Sequence, residues 1–73
     1  MPTKLLSQAE ADALEGLIDH KGLSSVLETL AAICYLKAGH VEENWQDANL
    51  ARRWERAGKK LDKAARDVQG LID

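Results

Sequence analysis

Phenylalanine is absent from this 73-residue chain, and its only aromatic residues are Tyr35, Trp45 and Trp54. A core made without Phe has to be built mostly from Leu, Ile, Val and Ala, and such a composition favours helices. Cysteine is scarce as well. Cys34 stands alone, so no disulfide can close within the chain, and a single thiol fits a reducing compartment, with the cytoplasm as the expected location. No apolar run approaches the roughly 18 to 20 residues that span a bilayer. Leu5-Leu6 passes at once into Ser7-Gln8-Ala9-Glu10, so no signal-peptide core is expected either. Strand-like alternation, internal repeats and low-complexity segments are also missing.

Hydrophobic residues supply 45% of the chain and charged residues 30%, the balance of a folded globular domain rather than a disordered tail. One domain of this length buries only about 60 to 65% of the surface that its unfolded chain exposes. Extra burial is therefore expected, and with disulfides excluded it has to come from a metal, from oligomerisation or from very regular helix packing.

The strongest pattern lies in the last third. Leu50, Trp54, Ala57, Leu61, Ala64, Val68 and Leu71 recur at alternating spacings of four and three, the mark of a long amphipathic helix with a heptad seam. Upstream, Ser7 and Glu10 form an S-x-x-E capping box that starts a first helix, with Ala11, Leu14, Leu17 and Ile18 on one face and Gly22 placed to cap its end. Ser24 or Ser25 is expected to cap a second helix, Ser25 with Glu28 giving another box. Its main stripe is Leu23, Val26, Leu27, Leu30, Ile33, Cys34 and Val41, but Ala32, Tyr35 and Leu36 make it apolar nearly all round, which points to burial on two sides. Asn44-Trp45-Gln46-Asp47 reads as a turn in which Asp47, or Asn44 with Asp47 at its third position, caps the third helix, and Gly70 is placed to end it. Gly16, Gly39 and Gly58 stand inside helices where better helix formers are expected. The prediction is a single all-α domain over 1–73 with helices at 8–20, 24–43 and 48–69: a short helix and a long helical hairpin that complete a bundle by dimerisation.

Charge is unevenly placed. Residues 1–49 carry a balance of −5 and residues 50–73 one of +3. On the third helix Arg52, Arg56, Lys59, Lys63 and Arg66, with Arg53 and Lys60 beside them, form a basic ridge opposite the seam, about 20 Å long at 1.5 Å per residue. Such a ridge suits a phosphate backbone or another acidic partner. A solvated helix face is the plainer reading, because Glu55, Asp62 and Asp67 interrupt it and the acidic first and second helices can answer it electrostatically.

Nothing in the chain spells a reaction. Cys34 lies on an apolar stripe, away from the electropositive setting that makes a thiolate, and reads as a core residue. His40 with Glu43 or Asn44 has helical spacing but falls short of the three or four ligands that a metal needs. Trp54 sits in the seam. Trp45, among polar turn residues, reads as a lid over the bundle end or as a binding anchor.

With these residues in hand, His20, Gly22-Leu23, Val26-Leu27, Leu30-Ala31, Ile33-Cys34, Lys37-Ala38, His40, Asn44-Trp45-Gln46-Asp47 and Trp54-Glu55 resemble a pattern in a group of short bacterial all-helical proteins with no assigned function. The Asn-Trp-Gln-Asp turn is its most specific part. The resemblance implies a bacterial or mobile-element origin and brings no activity, cofactor or catalytic residue with it.

The expected function is non-enzymatic: a scaffold, regulator or inhibitor that works by protein–protein interaction, as a homodimer through Leu30, Tyr35, Leu36, Trp45, Trp54, Leu61 and Val68. A nucleic-acid-associated protein using the ridge is the alternative. A thiol or metal enzyme built on Cys34, His40 and Glu43 is the remote one, and no cofactor is expected.

Overall fold

Ser7 starts the first helix through the reciprocal contacts that its spacing to Glu10 predicts. Its Oγ accepts from the Glu10 N–H at 3.2 Å, and its own N–H donates to Glu10 Oε1 at 2.8 Å. The computed structural model describes residues 5–72 and contains three helices, α1 (Gln8–Lys21), α2 (Leu23–Trp45) and α3 (Ala48–Gln69), with no strand among the described residues.

Gly22 is the whole joint between α1 and α2. It donates to the Ile18 carbonyl at 2.7 Å and adopts φ 93°, ψ 150°, a region in which only glycine is unstrained. Because α2 begins at Leu23, Ser24 and Ser25 already lie in its first turn, and the predicted serine cap does not form. Ser24 is buried instead, while the Ser25 carbonyl accepts from the Thr29 hydroxyl at 2.9 Å.

The other end of α2 also differs from expectation. The helix continues through Asn44 and Trp45 rather than fraying near Glu43, helped by the Asn44 amide, which donates to the His40 carbonyl at 3.0 Å. The turn thus shrinks to Gln46 and Asp47. Gln46 takes the left-handed conformation, φ 53° and ψ 36°, which costs a non-glycine residue about 1 kcal/mol. Of the two cap candidates it is Asp47 that caps α3, accepting from the Leu50 N–H at 3.0 Å, while Asn44 lies within α2. So short a reversal folds α3 back along α2, and this hairpin is the body of the molecule.

The hairpin closes on small side chains. Ser24, Ala31 and Ala38 on α2 are buried at seven-residue intervals, and so are Ala51, Gly58 and Ala65 on α3, with Cys34 and Val41 alongside. Small residues at one repeated heptad position let helix axes approach closely. The predicted seam is therefore right in period and one position out in phase. Leu50, Trp54, Ala57, Leu61, Ala64 and Val68 are half-buried flanks, because bulky side chains fit beside a closely packed neighbour and not beneath it. Leu71 lies beyond the helix and is exposed. Gly70 ends α3 in a right-handed conformation, and the Leu71 and Ile72 N–H groups donate to the Val68 carbonyl.

A one-residue joint leaves α1 little freedom to wrap the hairpin. It rests on α2 and does not reach α3, and none of its residues is buried. The radius of gyration is accordingly 14.0 Å, against about 11 Å for a compact domain of this length.

Candidate interaction surfaces

The residues predicted to meet a partner do not form one surface. Tyr35 is engaged within the chain: its ring lies over Gly58, where an added Cβ would come within 2.7 Å of Cε1, and its hydroxyl donates to Asp62 at 3.0 Å. Partial burial, then the hydrogen bond to Asp62 and the surrounding negative charge, hold the phenol above its ordinary pKa. Trp54, Leu61 and Val68 flank the hairpin interface and are half-buried. Leu36 and Trp45 remain open to solvent, at 73% and 70% exposure. Trp45 is thus no lid. It borders a hollow of about 390 Å³ at the turn end of the hairpin, shared with Lys37, His40, Val41, Leu50 and Trp54. The Lys37 ammonium stands 5.7 Å from the centre of the Trp54 ring, within cation–π range.

Leu30 belongs to a different feature. With Val26 and Ile33 on α2, and Leu14 and Leu17 on α1, it lines an apolar groove of about 380 Å³ bordered by Lys21, Ser25 and Thr29. Leu17, Leu30 and Ile33 are each more than a third exposed. Sequence reasoning placed these residues on the core stripes of their own helices. The signal that separates them is the seven-residue spacing of Ser24, Ala31 and Ala38, which identifies the α3-facing side of α2 and leaves Val26, Leu30 and Ile33 as a second stripe.

The groove is one part of a general surplus of surface. The chain exposes 6014 Å², whereas a folded monomer of 8.0 kDa is expected to expose about 4,450 Å². Even if the five residues outside 5–72 are granted the full surface of an extended chain, about 800 Å², the rest exceeds its own expectation by about 1,000 Å².

All seven members of the basic ridge, Arg52, Arg53, Arg56, Lys59, Lys60, Lys63 and Arg66, are exposed. Of the two acidic helices expected to answer them, α1 never reaches α3. Among the described residues the one ion pair is local, Lys63 to Asp67 at 3.2 Å, and Arg52 bonds the Asn49 side chain at 2.8 Å.

Cys34 is buried as a free thiol in the hairpin core. His40 Nδ1 lies 3.1 Å from the Asn44 amide, and among the described residues no three His, Cys, Asp or Glu side chains gather as a metal set. No helix among them is long and apolar enough to cross a membrane. Comparisons with protein-family models, curated proteins and solved structures find no match for this chain.

Proposed function

We propose that this protein acts by binding rather than by catalysis, as a small helical scaffold, regulator or inhibitor, and that it associates first with itself. The observation that carries the reading is the surplus of about 1,000 Å², a good part of it apolar side chain at Leu17, Leu30, Ile33, Leu36 and Trp45. A specific interface removes about 800 Å² from each partner, so a homodimer restores the burial that a chain this short lacks alone. A reducing compartment such as the cytoplasm suits the unpaired Cys34. The test is the mass in solution by light scattering after size exclusion, at several protein concentrations. A mass of twice 8.0 kDa supports the reading, and a monodisperse monomer with a cooperative melt removes its motive.

A second reading rests on the ridge, whose exposed cations lack acidic partners on neighbouring helices. There α3 tracks a phosphate backbone, and affinity for duplex or single-stranded nucleic acid falls steeply as salt rises. Absence of binding to either at low ionic strength ends this reading.

A further inference from the structure

We infer that the α1–α2 groove seats a second copy of this chain, in a twofold dimer. The inference rests on the self-association proposed above and adds where it occurs. Area is the first argument. The surplus of about 1,000 Å² is the size of one partner's share in a specific interface, about 800 Å².

Placement is the second. On α2, Leu30 falls between Ile33, which lines the groove toward α1, and Cys34, which is buried toward α3. An exposed apolar strip thus runs between two helices that do not touch each other. A second copy presents the same strip, so Leu30 and Ile33 can meet their own equivalents across a twofold axis, while Leu17 closes the side.

The experiment measures dimer dissociation by sedimentation of the full chain, with circular dichroism confirming that each variant keeps its helices. Leu17→Glu with Ile33→Glu, both at positions already part-exposed in the monomer, should weaken the dimer at least about tenfold by placing unpaired charge in the contact. Leu36→Glu, outside the groove, should leave it unchanged. A wild-type monomer at every concentration overturns the self-association itself. A dimer indifferent to the groove variants leaves self-association standing and overturns the groove.

Discussion

Gly58 and Tyr35 are one feature of the structure seen from two helices. Glycine inside a helix costs about 1 kcal/mol relative to alanine, yet here the missing Cβ is the space in which the Tyr35 ring lies. Gly58→Ala should therefore destabilise the hairpin by about 1 kcal/mol, the cost of overpacking outweighing the helix-propensity gain. In a Tyr35→Ala background the same substitution should stabilise, and denaturant melts of the four proteins give the cycle that separates the two effects. Equal effects in both backgrounds would mean that the ring swings aside freely. Tyr35 also gives the fold a pH dependence. Its folded pKa is raised, by partial burial first and then by the bond to Asp62. The folded state thus holds this proton more tightly than the unfolded chain, and the contribution is complete below pH 10.0 and lost as pH rises through the higher folded value. Wild type should lose stability above pH 10.0 by more than Tyr35→Phe does, and parallel losses in the two proteins would count against the contact.

The element boundaries divide according to whether one local interaction decides them. The Ser7–Glu10 box and the Asp47 cap were legible because each needs only a side chain at fixed spacing from the amide that it satisfies. The start of α2 was not. The serines offered a plausible cap, but Gly22 can take a conformation that lets α2 begin directly after α1, and that geometry overrode them. Trp45 was misplaced for a similar reason: a left-handed Gln46 is a costly way to end a helix, and nothing in its residue type announces it. The hairpin's period was legible from α3, whereas its phase was hidden because alanines and a glycine, which weigh little in any apolar pattern, occupy the closest contacts. Glycines accordingly separate into kinds. Gly22→Ala should destabilise by about 1 to 3 kcal/mol through backbone strain. Gly39→Ala, with nothing within 4 Å of the new Cβ, should stabilise by about 0.5 to 1 kcal/mol. Thermal melts of the two variants check both signs, and a destabilising Gly39→Ala would point to a contact that the monomer lacks.

At the scale of the whole molecule, the hairpin and α1 behave differently. The hairpin satisfies itself through close helix contact, a capped turn and the Tyr35–Asp62 bond. α1 buries nothing fully and leaves an apolar groove beside it. The sequence signal for a surplus of apolar surface, read from the all-round apolarity of Leu30 to Leu36, pointed to a partner but scattered its residues. Tyr35 turned inward, Leu36 and Trp45 faced elsewhere, and only Leu30 joined the groove. Which apolar residues are left over depends on which are used within the chain, and that is decided by the tertiary packing of α2 rather than by any single helix. Whether a second copy covers the surplus is decided by light scattering after size exclusion over a range of protein concentrations: a mass of twice 8.0 kDa is expected, and a mass of 8.0 kDa at every concentration would rule the dimer out.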